Sequence, residues 1–224
     1  MTNNLITTRN IFDNTDVLVS LSAGHGGIFN GKYVTAPDKM MEFKQQNYTF
    51  YEGAFNRQMV MHIVKYLHHK RISYDFINNT YEDIHPSRRG KTCDVALSNS
   101  KLKYGFGVEI HANYFPNPLA KGFEIYTSKG LTPADGIATN IYNTVKESKL
   151  VNMRPGITKK DPDVDKEANF AFLISGRQPL VLIECDFFNT YDRVQRLMDP
   201  IFQDNMARAI ANGIEESIKN KSYV

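Results

Sequence analysis

Residues 16–27 read DVLVSLSAGHGG. The run Val17 to Leu21 is apolar and rich in β-branched residues, the pattern of a buried strand. Gly24, Gly26 and Gly27 end it in a tight turn around His25. Residues 28–51 are aromatic and polar without a clear period, which predicts a long loop or insertion. From Gly53 to His69 the period becomes helical. Phe55, Met59, Ile63 and Leu67 recur every four residues with Val60 and Val64 beside them, so one face is apolar. A short strand over 73–77 follows. Strand, helix, strand is the opening unit of an α/β fold.

The alternation continues outward from that unit. Pro86 suits the first turn of a second helix running to about residue 101. GFGVEIHANYF reads as a strand starting near Gly105 and ending at His111, and GFEIYTS, 122–128, as another. Thr132 and Pro133 open a third helix carrying Ile137, Ile141 and Val145. Residues 149–168 are charged and broken by Pro155, Gly156 and Pro162, a loop. FAFLIS, 170–175, and PLVLIECDFF, 179–188, read as two further strands. A short helix over 191–198 and a last one over 201–218 close the chain, the latter with Met206, Ile210, Ile214 and Ile218 on one face. This order predicts an α/β sandwich with a largely parallel sheet.

Bulk properties narrow the function. At 224 residues and 42% hydrophobic, the chain has enough apolar material for one sizeable core. A formal charge of +3 argues against a strongly basic nucleic-acid binder. Cys93 and Cys185 are too few for a disulfide framework or a cysteine-based structural zinc site, and read as packed thiols. No basic start followed by an apolar stretch is visible, so no secretory signal is read. No apolar run reaches the ~18 residues of a membrane span.

Four side chains fall where chemistry collects in such folds, beyond the carboxyl ends of strands and at helix starts. They are His25, Glu52, His111 and Glu184. Each has a plainer use: a surface histidine, a carboxylate on a helix dipole, a satisfied core imidazole. Glu184 is harder to dismiss, because an acid inside PLVLIECDFF is costly to bury unless paired, coordinated or protonated. Together, two imidazoles and a carboxylate make a three-ligand catalytic zinc set with a position left for water. A bound zinc ion lowers the pKa of that water towards ~7. A free glutamate is then available to move its proton.

The order SAGHGG, EGAFNRQMVMHIVKYL, GVEIHAN, GFEIYTS, PLVLIECDFFNT resembles the zinc-dependent N-acetylmuramoyl-L-alanine amidases over residues 16–219. The resemblance leaves 1–15 as a lead-in and 220–224 as a tail. It implies a single domain built on a mixed sheet of about six strands, with helices on both faces. It implies one zinc ion held by His25, Glu52 and His111, with Glu184 as catalytic acid/base. The implied substrate is bacterial peptidoglycan, cut between N-acetylmuramic acid and the L-alanine of the stem peptide. Without a visible leader, the chain is similar to a phage endolysin, expected to be a monomer made in the host cytoplasm that reaches the wall after release. A zinc carboxypeptidase acting within stem peptides and a non-catalytic wall-binding module are the alternatives.

Three positions depart from the family pattern. Ser22-Ala23 stands where Asp-Pro is common, Glu109 where serine is usual, and Asp186 where a small residue is usual. Glu109 shares a strand face with His111, as a partner orienting that ligand or as an ion pair near the strand end. Asp186 alternates onto the face of Glu184, which predicts a raised Glu184 pKa by like-charge repulsion. Asn113 reads as a substrate hydrogen-bonding group or a cap for the turn after the strand. Arg88 and Arg89 read as solvated charges or as contacts for an anionic substrate group. Phe43, Tyr48, Phe50 and Tyr51 read as a wall of the substrate cleft or as a satellite cluster.

Overall fold

The computed structural model describes residues 7–13, 15–36, 39–157 and 162–224. The run that opens the fold is strand β2 (Val17–Ala23), buried at every position. Before it comes β1 (Arg9–Asn10); after it come β3 (Ile28–Phe29), β4 (Lys32–Tyr33), β5 (Met40–Phe43) and β6 (Tyr48–Tyr51). Helix α1 (Glu52–His69), β7 (Tyr74–Phe76), α2 (Pro86–Ser100) and β8 (Tyr104–Asn113) follow. The remainder is β9 (Glu124–Thr127), α3 (Pro133–Ser148), β10 (Lys166–Glu167), β11 (Leu180–Phe187), α4 (Tyr191–Leu197) and α5 (Pro200–Lys219).

The main sheet has seven strands in the order β1-β7-β2-β8-β11-β9-β10. β7, β2, β8 and β11 run parallel; β9 is antiparallel to β11, and β1 to β7. This is the expected α/β architecture with a mixed, largely parallel sheet. The chain leaves β2, crosses through α1 to β7 on one side, then through α2 to β8 on the other. The strand order therefore reverses between β2 and β8. A crevice opens at such a point, beyond the carboxyl ends of the strands.

Strand alternation sorts the two faces. Val17, Val19 and Leu21 with Phe106, Val108 and Ile110 and Val181 and Ile183 join α1, α3 and α5 in the main core. The opposite face carries a smaller apolar cluster in which Cys93 of α2 meets Phe172, Leu180 and Leu182. Farther along that face the residues turn polar: Ser22, Glu109, His111 and Glu184. The helices are bounded by recognisable signals. Thr132 and Asp135 form a reciprocal capping box at α3, and Asp199 caps α5 ahead of Pro200.

Three expectations are corrected. FAFLIS is not a strand: residues 171–175 form a turn, with Ile174 N–H donating to the Phe170 carbonyl at 3.2 Å. Its apolarity serves packing, since Phe172 and Leu173 are buried against α2 and β11. Residues 28–51 are not a featureless loop but contain the hairpins β3–β4 and β5–β6. The 149–168 loop contributes β10, which pairs with β9; its residues 158–161 lie outside the described residues. The lead-in adds β1 at the sheet edge and packs Phe12 on the main core; residues 1–6 and 14 lie outside the described residues. The tail is tied down, because Tyr223 is buried against Tyr104 and Phe106.

Candidate metal centre

His25 sits just past β2, at the reversal point. Its backbone is left-handed, φ +62°, a conformation costly for a residue with a side chain. The surroundings hold it there. Gly24 N–H donates to the Ile110 carbonyl at 2.9 Å, and Arg57 Nη1 donates to the His25 carbonyl at 2.8 Å. Gly24 is required by close approach: a Cβ there would lie 2.1 Å from Cε1 of His111. Gly53 is required likewise, because a Cβ would lie 1.7 Å from the Gly26 carbonyl oxygen. Two glycines thus let the His25 turn lie against α1 and β8.

Glu52 opens α1 and is buried. Both imidazoles converge on its Oε1: His111 Nδ1 at 2.9 Å and His25 Nε2 at 3.4 Å. One donor atom from each of the three residues lies within 4.8 Å of the others. The His25 and His111 rings meet edge to face, centroids 5.0 Å apart. Burial lowers the pKa of His25 to about 4, opposed by Glu52, so its nitrogen carries a free lone pair at neutral pH. Burial also disfavours a charged His111, but bonds to Glu109 and Glu52 overcome it and raise that pKa to about 10. Burial would raise Glu52 too; its hydrogen bond to His111 and the two imidazoles hold it below its ordinary value. Nitrogen and carboxylate donors in this number suit zinc. An ion at their centre would satisfy three groups that otherwise lean on one another.

Glu184 ends the useful part of β11 and is the register partner of His111. Its Oε2 is enclosed and has no hydrogen-bond partner among the described residues. Enclosure pushes its pKa up; His111 opposes this, while Glu52 and Glu124 add to it. All four side chains line one cleft of about 750 Å³, with Lys39, Met40, Met41, Tyr114, Phe170 and Phe188 among its other walls.

The profile of the N-acetylmuramoyl-L-alanine amidase family matches residues 19–216. The chain belongs to the N-acetylmuramoyl-L-alanine amidase family. Among solved structures, the N-acetylmuramoyl-L-alanine amidase from Clostridium difficile 630 is 25% identical, with a TM-score of 0.71 over 92% of this chain and 98% of that one. The catalytic domain of CwlV, an amidase from Bacillus (Paenibacillus) polymyxa var. colistinus, is 21% identical, with a TM-score of 0.66 over 90% and 98%. The catalytic domain of the CD27L endolysin targeting Clostridia difficile is 13% identical, with a TM-score of 0.59 over 89% and 97%. The last two establish a shared fold alone. No relative was found among curated protein sequences.

Within this amidase the departing residues have definite partners. Glu109 is paired with Arg89, Nε to Oε2 at 2.6 Å and Nη2 to Oε1 at 3.0 Å, and also meets His111 Nε2 at 3.0 Å. Arg89 is therefore not a solvated charge; only 1% of it is exposed. Arg88 is exposed. Asp186 does not act on Glu184. A bulge between Glu184 and Phe187 places Phe187, not Asp186, opposite Asn113. The Asp186 carboxylate instead accepts from Gly122 N–H at 2.6 Å and pairs with Arg196. Asn113 caps the turn, accepting from Tyr114 N–H at 2.8 Å, and donates to Glu124 at 2.8 Å.

Glu124 was not singled out by its sequence. It stands opposite Glu184 across the β9–β11 pair, buried, and accepts from Tyr126, Arg154 and Lys166. Its place in the GFEIYTS strand, one strand from Glu184, was the available signal. The aromatic residues of 43–51 serve packing: Phe43 and Tyr48 meet Tyr191, and Phe50 meets Phe55 and Phe188. Methionines of the same hairpin, Met40 and Met41, line the cleft instead.

Proposed function

We propose that the chain is a zinc-dependent peptidoglycan amidase that hydrolyses the bond between N-acetylmuramic acid and the L-alanine of the stem peptide. The observation that carries this is the convergence of His25, Glu52 and His111 beside Glu184 in one cleft of a chain belonging to this family. His25, Glu52 and His111 would hold the ion. When bound, zinc supplies Lewis-acid polarisation of the amide carbonyl and lowers the pKa of the attacking water. Glu184 supplies the proton transfer: one enclosed, unpaired carboxylate oxygen with a raised pKa accepts a proton from the attacking water and returns it to the leaving nitrogen. Enclosure, with Glu52 and Glu124 adding to it, keeps that carboxylate from becoming strongly acidic.

The test is digestion of purified peptidoglycan followed by mass spectrometry, with zinc content measured on the same preparation. Intact stem peptides with a free L-alanine amine, lost on chelation and restored by zinc, are the expected products. Cleavage inside the stem peptide would establish the carboxypeptidase reading instead, and undigested wall that retains the protein the binding-module reading.

A lytic role as a phage endolysin, made in the host cytoplasm and released onto the wall, is the finer part of the proposal. The CD27L catalytic domain has the same fold, and so does the CwlV amidase, so fold does not separate the roles. Expression in a host of matching wall chemistry separates them: lysis only after the membrane is permeabilised supports the lytic role.

A further inference from the structure

We infer that Glu109 is a positioning residue for the metal centre: its carboxylate accepts the Nε2–H of His111, leaving Nδ1 as the nitrogen that binds the ion, while Arg89 and Ser22 hold the carboxylate in place. The inference rests on the reading of His25, Glu52 and His111 as metal donors.

An imidazole has two nitrogens, and the hydrogen bond made by one decides what the other offers. Glu109 and His111 are two apart on β8 and share its site face. Glu109 Oε1 lies 3.0 Å from His111 Nε2, and Glu52 Oε1 lies 2.9 Å from Nδ1 on the opposite edge of the ring. Nδ1 therefore faces the cluster that includes His25. The Glu109 carboxylate has little freedom to turn. Arg89 grips it with two parallel donors from α2, and the Ser22 hydroxyl donates to Oε2 at 2.8 Å from β2. Arg89 is anchored in turn by donation to the Ile84 carbonyl. Arg89, Glu109 and Ser22 are all buried.

Stability alone does not account for this arrangement. A buried ion pair is usually no better a stabiliser than apolar residues of the same volume. A purely structural pair also has no need of the contact with His111. Ser22 and Glu109, two of the positions that depart from the family pattern, are register partners on neighbouring strands. They work as one unit.

Two measurements test this. The first is ¹⁵N NMR of the zinc-loaded parent labelled at histidine. It should show His111 protonated at Nε2 and metal-bound at Nδ1; binding through Nε2 would overturn the inference. The second is zinc affinity by competition with a chromophoric chelator. An Arg89→Met/Glu109→Leu double variant removes both charges together, and far-ultraviolet circular dichroism checks that it folds. Its zinc affinity should fall about 10- to 100-fold. Glu109→Gln keeps an acceptor oxygen and should fall between the two. Parental affinity in the double variant would overturn the inference. His25→Ala separates the layers: if it loses zinc while the double variant does not, the donor set stands and only the role of Glu109 falls. A parent that binds no zinc would end both.

Discussion

Glu184 and His111 are paired residues on adjacent parallel strands, so the carboxylate proposed for proton transfer and a proposed metal donor leave the sheet at the same level on the same face. The arrangement keeps their tasks separable. His111 is engaged at both ring nitrogens, whereas Glu184 has an enclosed oxygen with no partner among the described residues. Glu184→Gln, close to isosteric, should therefore leave zinc affinity near the parent's. The kcat should fall about 10²- to 10⁴-fold, the usual contribution of a general acid–base group. Steady-state kinetics on a soluble muropeptide, run beside zinc analysis, checks both halves. A variant as active as the parent removes Glu184 from the mechanism.

Zinc should stabilise the folded chain, because the three donors are brought together only by the fold. They come from the β2 turn, the start of α1 and the end of β8. At a free concentration of about 1,000 Kd the gain is ~4 kcal/mol. For a chain of this size that is a rise of roughly 10 °C in Tm. His25→Ala should abolish most of the rise. Differential scanning fluorimetry across a zinc titration reads it directly, and an equal rise in parent and variant would place the binding elsewhere.

Stability of the metal-free chain should fall as pH rises above about 6.5. His111 is raised to about 10 because Glu109 and Glu52 outweigh the opposing effect of burial. A histidine raised in the folded state contributes fully below its unfolded pKa and loses that contribution as pH climbs through the folded one. Glu184 is raised too, principally by burial, and acts in the same direction over its own range. His25, lowered to about 4 by burial, acts oppositely, but its contribution is complete above 6.5. Below about pH 8.5 the alkaline limb therefore belongs to His111 and Glu184; above it the thiols of Cys93 and Cys185, raised by burial, add to the fall. Urea denaturation between pH 6.5 and 10 on chelator-treated protein checks the sign. Zinc must displace the His111 proton at Nδ1, so binding should also release protons below pH 10, measurable by calorimetry in buffers of different ionisation enthalpy.

Most of the scaffold was legible in the sequence because its elements are periodic. Phe55, Met59, Ile63 and Leu67 identify α1, and the short aliphatic stretches Val17–Val19 and Leu180–Ile183 identify β2 and β11. What misled was an apolar run without a period. FAFLIS has strand composition, yet Phe172 and Leu173 are buried as neighbours while Phe170 and Ile174 are exposed, which strict alternation forbids. The four candidate residues stood out by position at element ends. Their convergence did not: His111 and Glu52 are 59 residues apart, and only the strand order joins them. The Arg89–Glu109 pair was invisible for the same reason, since it depends on α2 lying against β8. For Asp186 the parity argument failed at a bulge, which no residue in PLVLIECDFF announces.

Gly24 packs directly against the His111 ring. Its backbone is not in the left-handed region, so alanine is conformationally acceptable there. Space is the obstacle, for a Cβ would sit 2.1 to 2.5 Å from three atoms of the His111 ring. Gly24→Ala must therefore push the imidazole away from Glu52 and His25, or push the β2 turn away from β8. Either movement separates donors that now meet within 4.8 Å. The core beneath, built from Val19, Leu21, Val108 and Ile110, is not touched. The expected variant folds, shows near-parental far-ultraviolet circular dichroism, and binds zinc at least tenfold more weakly, a loss of about 1.4 kcal/mol. Chelator competition on the folded variant measures it. Undiminished zinc binding would mean that His111 does not lie where the β2 turn and β8 now place it.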